Sequence, residues 1–381
     1  MTQISISEPV LRWALDRSRS PKAVERKFPR LSGWLKGESR PTMHQIEAFA
    51  KATSTPLGYL FLSEPPKVQL PIPYFRTHGD ETSLLPSAEF IETVQIMERR
   101  QTWMHEYLRE QGYEPLSFVR SARFAHNPEH IASKIQETLK LPQGWARKHS
   151  SWTAALADLQ DKMEDAGILV VLSSIVGNNT RRKLDLTEFR GFVLIDEYAP
   201  LVFVNRSDGR AAQMFTLAHE LAHIWIGSSA AFDLRELQPA KEETEIACNK
   251  VAAEFLVPTV ELRQIWPSLR QEPELFQAVA RRFKVSELVA SRRALDLELI
   301  TKNEFIDFYR SYQERERHIA KSQEGGNFYA TQSLRLSRRF AETVVHAVRE
   351  GTLLYRDAYR LTGLYGRTFE RYAKLLSRGL H

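Results

Sequence analysis

The chain has 381 residues, of which 43% are hydrophobic, and a formal net charge of +6; this is long enough for two or three domains and excludes a disordered or fibrous chain. A single cysteine, Cys248, excludes an internal disulfide and fits a reducing compartment. Met1 to Ser20 lacks the apolar core of a signal peptide and no apolar run reaches the ~18 residues of a membrane span, so a cytoplasmic chain without membrane contact is expected.

Residues 1–62 read as short helices. Val10, Leu11, Trp13, Ala14 and Leu15 open the first, and Met43, Ile46, Phe49 and Ala50 share one face of another over residues 43–53. Between them Gly37 and Pro41 mark a turn, and Thr42 is placed to cap the following helix. This W-x-x-G-x-x-x-P-T segment, from Trp34 to Thr42, resembles the end of the DNA-recognition helix and the next turn of repressor-type (XRE-like) helix-turn-helix domains. The resemblance implies DNA as a partner, with Arg30, Lys36 and Arg40, and also Arg26 and Lys27, as phosphate contacts. The segment from Ser20 to Ser32 is short for a reading helix, and Pro29 interrupts it. A degenerate helical module used for packing or dimerisation is the competing expectation.

Residues 63–86 form a Pro-rich linker containing Pro65, Pro66, Pro71 and Pro73, followed by Tyr74, Phe75, Arg76 and Thr77. Helical spacing then recurs over residues 87–112, over 128–140, and from Lys148 to Gly167, where Trp152, Leu156, Leu159 and Met163 mark the apolar face. The period changes at Ile168–Leu172, a short β-type run. Gly177, Asn178 and Asn179 read as a loop. Gly191–Ile195 and Leu201–Asn205 read as two further strands, a hairpin or sheet neighbours.

Directly after them comes F-T-L-A-H-E-L-A-H-I-W, residues 215–225, which contains H-E-x-x-H. Residues four apart lie on one helix face, so His219 and His223 can hold one metal ion together, with Glu220 placed to act on a water there. Ser207 and Asp208 are expected to cap this helix and Gly227 to end it. Apolar residues cover almost every face, so the helix should be buried, and its histidines and glutamate then need partners. Catalytic zinc usually has three protein ligands. Downstream, residues 241–257 read as a second helix stopped by Pro258, with Glu242, Glu245 and Asn249 on one face. Spacing alone leaves both Glu242 and Glu245 open as the third ligand. Glu245 has Asn249 one turn later, where its amide can orient a ligating histidine. Cys248 points away from Asn249 and reads as a packed core thiol.

The stretch from Gly191 to Pro258 resembles the ImmA/IrrE family of zinc metallo-endopeptidases. The matching pieces are Gly191 and Phe192, Pro200 with Val204 and Asn205, residues 215–223, and Glu245 through Asn249 to Pro258. The resemblance implies that Glu245 is the third zinc ligand and that Glu220 is the catalytic base. It also implies a protein substrate, typically a repressor with its own helix-turn-helix domain, cleaved in a stress or mobile-element response. Helix-turn-helix modules commonly precede this peptidase type, with a Pro-rich joint and an element like Phe75-Arg76-Thr77.

Phe276 to Leu295 again has helix-turn-helix form, with Lys284, Val285 and Ser286 as the turn, and is expected as a packed helical appendix that closes the peptidase domain. Residues 301–321 form a charged helix, and Glu324 to Asn327 a break. In the last helices Phe340, Val344, Val345 and Val348 share a face, Gly351 stops the run, and Tyr355 to Tyr372 interleaves Arg and Tyr. That mixture suits nucleic acid or a protein partner. The charge is uneven: residues 1–60 carry 10 Lys and Arg against 5 Asp and Glu, and residues 335–381 carry 10 against 4, leaving the middle acidic. Nucleic acid, if bound, should meet the ends.

The expectation is therefore an α+β, mostly helical chain with a small-sheet, gluzincin-like peptidase core flanked by helix-turn-helix-like modules. The divisions fall at 1–62, 63–86, 87–300 and 301–381. The first functional reading is a cytoplasmic zinc endopeptidase acting on a regulatory protein. The second is a DNA-binding regulator or antitoxin-like protein, partnered with a toxin or another protein encoded nearby, that uses the peptidase fold as a scaffold or sensor.

Overall fold

A computed structural model describes residues 4–18, 20–66, 86–123, 125–227, 242–318, 332 and 334–377. Residues 67–85 of the expected linker, with Phe75, Arg76 and Thr77, and the break from Glu324 to Asn327 lie outside the described residues.

The N-terminal helices are α1 (Glu8–Asp16), α2 (Pro21–Lys27), α3 (Leu31–Leu35) and α4 (Met43–Thr53), closed by a 3-10 turn, Leu57–Phe61. Thr42 caps α4 in a capping box: its Oγ1 accepts from the Gln45 N–H, and Gln45 Oε1 accepts from the Thr42 N–H at 2.8 Å. Phe28, Trp34 and Phe49 meet edge to face or tilted at the centre of this module. Pro29 lies between α2 and α3, and α3 has only 5 residues. Arg30, Lys36 and Arg40 are exposed at and after its two ends.

Three longer helices follow: α5 (Ala88–Glu110), α6 (Pro128–Thr138) and α7 (Trp152–Asp165). The last starts later than its spacing predicts. Trp145–Lys148 forms a 3-10 turn, His149 is extended, and the Ser151 side chain caps α7 by accepting from the Ala154 N–H.

The strands are β1 (Leu169–Ser173), β2 (Ile175–Val176), β3 (Asn179–Lys183), β4 (Gly191–Leu194) and β5 (Leu201–Asn205). β1, β5 and β4 form one sheet in that order, with β1 parallel to β5 and β4 antiparallel to it, pairing Leu169 with Leu201 and Phe192 with Phe203. The loop expected at Gly177–Asn179 is the turn of a second, two-stranded sheet, β2 with β3. The polar, exposed β3 shows no apolar alternation from which a strand can be read.

The three-stranded sheet is a middle layer. Alternate residues go to opposite faces. Val170, Leu172, Val202 and Val204 pack into one core, and Leu169, Val171, Leu201, Phe203, Phe192 and Leu194 into another. Because both faces are covered, β1 and β5 read as unbroken apolar runs. The first core holds α6, α7, and then α8 (Arg210–Ile226), α9 (Glu242–Leu256), α10 (Thr259–Leu269), α11 (Leu275–Phe283) and α12 (Glu287–Asp296). A charged helix, α13 (Lys302–His318), follows. The second core holds α5 and the last three helices, α14 (Arg338–Arg349), α15 (Tyr355–Thr362) and α16 (Arg367–Ser377).

The buried Arg100 ties α5 to this C-terminal part, donating to the Leu361 and Arg335 carbonyls. Desolvation pulls its guanidinium pKa down to about 10, still above neutral pH. Phe340 is fully buried and meets the Trp103 ring edge to face at 5.7 Å. Phe340→Ala should cost about 3–5 kcal/mol, from lost burial plus the cavity left behind. A urea titration of the full chain measures it, and a loss below about 1 kcal/mol would show that the contact contributes little.

Candidate metal centre

The centre is built on α8. Met214, Leu217, Ala218, Leu221, Ala222, Ile224 and Trp225 are buried, so the helix is held on nearly all sides. Its start differs from the expected Ser207–Asp208 cap. Gly209 is the N-cap residue and no side chain caps the helix. Asp208 accepts instead from the Gly209 N–H, Asn205 accepts from the Ser207 N–H, and the buried Gln213 donates to the Arg206 and Asp208 carbonyls. The lead-in turn uses those polar groups to fix itself.

Gly227 ends the helix in the left-handed region, φ 45°. A chain segment unmarked in the sequence covers that end. The Arg120 and Ala122 N–H groups donate to the Ile224 and Trp225 carbonyls at 2.9 and 2.8 Å, and the Phe118 ring stacks on Trp225 at 4.5 Å. A Cβ on Gly227 would lie 2.1 Å from Arg120 Cγ, so this approach requires glycine.

α9 packs along α8 and brings the third group. His219 Nε2 lies 3.2 Å from Glu245 Oε2, His223 Nε2 lies 3.3 Å from Glu245 Oε1, and the two Nε2 atoms are 3.1 Å apart. Asn249 Oδ1 lies 3.0 Å from His219 Nδ1, which fixes Nδ1–H as the donor and turns Nε2 toward the cluster. One ligand atom from each of His219, His223 and Glu245 can be chosen so that all lie within 4.8 Å of one another, close enough to hold one metal ion. The Glu242 side chain lies outside the described residues. Cys248 is buried, and desolvation, aided by the charges of Glu245 and Glu220, pushes its thiol pKa far up. The clustered donor set among the described residues is His219, His223 and Glu245, without Cys248.

The local field is negative. Burial works to lower the His219 pKa, but the Glu245 hydrogen bond, the Glu220 and Glu245 charges and the Asn249 contact outweigh it, and the pKa is raised. Burial works to raise the Glu245 carboxyl, but its contacts with His219 and His223 win and hold it well below the usual range. A field that favours a proton on an imidazole also favours a cation among these groups.

Glu220 is buried on the same helix, and desolvation raises its pKa. Its neighbour is Gly191 at the start of β4. A Cβ there would lie 2.5 Å from Thr216 Cγ2, 2.9 Å from the Phe203 carbonyl oxygen and 3.2 Å from Glu220 Oε1. In sequence this role shows only as a glycine opening a strand. Arg30, Lys36 and Arg40 all belong to the N-terminal module and are not brought into this cluster.

Residues 163–295 match the peptidase M78 family, described as the IrrE N-terminal-like domain. This supports the ImmA/IrrE resemblance across the sheet, α8, α9 and the helices up to α12, and marks that part of the chain as similar to a metal-dependent peptidase. Residues 336–375 match a domain of unknown function, DUF8813, that covers α14 to α16. No curated protein matches the chain.

Gly191→Ala should cost about 1–3 kcal/mol, because the methyl meets backbone as well as side chains. A thermal melt of the full chain checks this. A melt unchanged from wild type would mean that β4 shifts freely away from α8.

Proposed function

We propose that the chain is a zinc endopeptidase in which His219, His223 and Glu245 bind the metal and Glu220 is the general base. The observation that supports it best is the convergence of the three donors beside a buried carboxylate. Donors at ~2.0–2.1 Å from a tetrahedral zinc lie roughly 3.3 Å from one another. The separations here are 3.1, 3.2 and 3.3 Å. Two imidazoles and one carboxylate, one imidazole oriented by Asn249, are also the donor chemistry of catalytic rather than closed structural zinc sites.

A zinc ion bound there would supply a Lewis acid for the peptide carbonyl and bring the pKa of a water toward neutrality. Glu220 accepts the proton of the attacking water and passes it to the leaving amine nitrogen. Its buried position beside the three donors suits a group that must both take and release that proton. Among the described residues β4 is one edge of its sheet and abuts Glu220 through Gly191, so an extended substrate backbone can add there as a further strand. The ImmA/IrrE resemblance points to a regulatory protein, a helix-turn-helix repressor, as that substrate.

Purified protein should carry about one zinc per chain, and His219→Ala, His223→Ala or Glu245→Ala should lose it. Asn249→Ala should keep the fold and weaken zinc binding about 10- to 100-fold in a competitive chelator titration. Full zinc in Glu245→Ala together with loss in Glu242→Ala would move the third ligand to Glu242.

Glu220→Gln should retain zinc and fold while cleavage falls by about 100- to 10,000-fold, because the amide accepts no proton. The assay is cleavage of repressor-type proteins encoded beside the gene. Undiminished turnover removes Glu220 from the mechanism. Equal cellular rescue by wild type and Glu220→Gln, with no protein cleaved, favours the scaffold reading.

A further inference from the structure

A cavity of about 710 Å³ opens beside the metal centre, between α9 and α12. Its size falls in the ~300–1,000 Å³ range of ligand pockets. It shares a wall with the centre. Asn249 lines the cavity and holds His219, Phe215 stands one helical turn before His219 on α8, and Ile246 directly follows Glu245 on α9.

The apolar lining comes from three helices and the chain after α12: Phe215, Ile246, Ala253, Leu288, Val289 and Leu297. None of these six is fully buried, and Ile246 is 47% exposed, an apolar side chain left open to water next to a ligand position. The charged groups of the inner wall satisfy one another. Arg293 donates to Glu254, to Thr259 Oγ1 and to the Val257 carbonyl. On the outer side Arg292 is paired with Asp296 at 2.9 Å. Glu129 and Lys250, both exposed, add charge to the lining, while the part around Phe215, Ile246 and Val289 rewards burial of an apolar group.

We propose that this cavity is a specificity pocket that takes a large apolar side chain, Leu, Ile, Met or Phe, of a substrate polypeptide close to the scissile bond. The proposal rests on the peptidase reading above. Its argument is adjacency: Asn249 both holds the ligand His219 and lines the cavity, and Ile246 beside Glu245 begins the apolar lining. It also gives a role to α11 and α12. The pair with helix-turn-helix form in sequence supplies, through α12, the far wall of the pocket.

The test uses the full-length Glu220→Gln protein loaded with zinc and a random peptide pool, with the retained peptides sequenced. Leu, Ile, Met and Phe should be enriched about tenfold over Ala and Gly at one position. Two further proteins carry Ile246→Lys or Ala253→Trp on the same background. Both should lose that enrichment at unchanged zinc content. Ile246 is exposed, so its substitution leaves the core untouched and decides the matter if Ala253→Trp fails to fold. No enrichment in the Glu220→Gln protein, or the same enrichment with Ile246→Lys, overturns the pocket. Retained apolar peptides that wild type leaves uncut would uphold the pocket and remove the hydrolytic reading instead.

Discussion

Two imidazoles from one helix and a carboxylate from another must meet within a few ångströms, and most of the central fold can be traced to that requirement. His219 and His223 share a face by helix geometry alone. Glu245 reaches them only because α9 lies close against α8. Ala218 and Ala222 on α8, and Cys248 and Ala252 on α9, are small and buried, which suits close approach of the two backbones. Glu245 is left 34% exposed, so the cluster is open to solvent at that carboxylate. A helix carrying such a polar cluster would be costly to bury unaided. Here the rest of α8 is apolar and anchored by β4, β5, α7 and the turn around Arg120.

The parts of this arrangement that depend on spacing along one helix were legible in the sequence. H-E-x-x-H, Asn249 one turn after Glu245, the Thr42 cap, Gly227 and the stop at Pro258 are all local. The parts that depend on chain segments far apart were not. The Arg120–Ala122 segment lies about a hundred residues before the helix end it caps, and nothing in its own composition announces a role. Gly191 reads as the start of a strand, and only the packing of β4 on α8 sets it against Glu220. Spacing left Glu242 and Glu245 both open; the fold sets Glu245 against the two histidines, and the Glu242 side chain lies outside the described residues. The expected Ser207–Asp208 cap failed for a related reason. Both residues fit an N-cap by type, but the turn before α8 already used Asp208 and Asn205 to satisfy itself.

The two-faced sheet explains a second gap. The apolar stripe of Phe340, Val344 and Val345 showed that α14 must pack on something, but not on what. Its partner is the far side of the sheet that carries the metal helix. The residues that match a domain of unknown function are thus separated from the centre by one layer of strands. Arg100 sits at that junction with two carbonyls as acceptors, and the cost of burying its charge is offset by hydrogen bonds rather than by an acid.

The order in which a ribosome releases these pieces has a consequence for the cell. β1 to β5 and α8 emerge midway through synthesis, and the first side of the sheet can be covered as α9 to α12 follow. The other side, formed by Leu169, Val171, Leu201 and Phe203, is completed only when Phe340, Val344 and Tyr372 arrive long afterwards. Until then a nascent chain carries a bare aliphatic and aromatic surface next to an open strand edge, the combination most prone to aggregate. α5, made before the sheet, can shield part of it. That face is therefore closed by segments about 135 residues or more apart along the chain, and its completion waits on the end of synthesis.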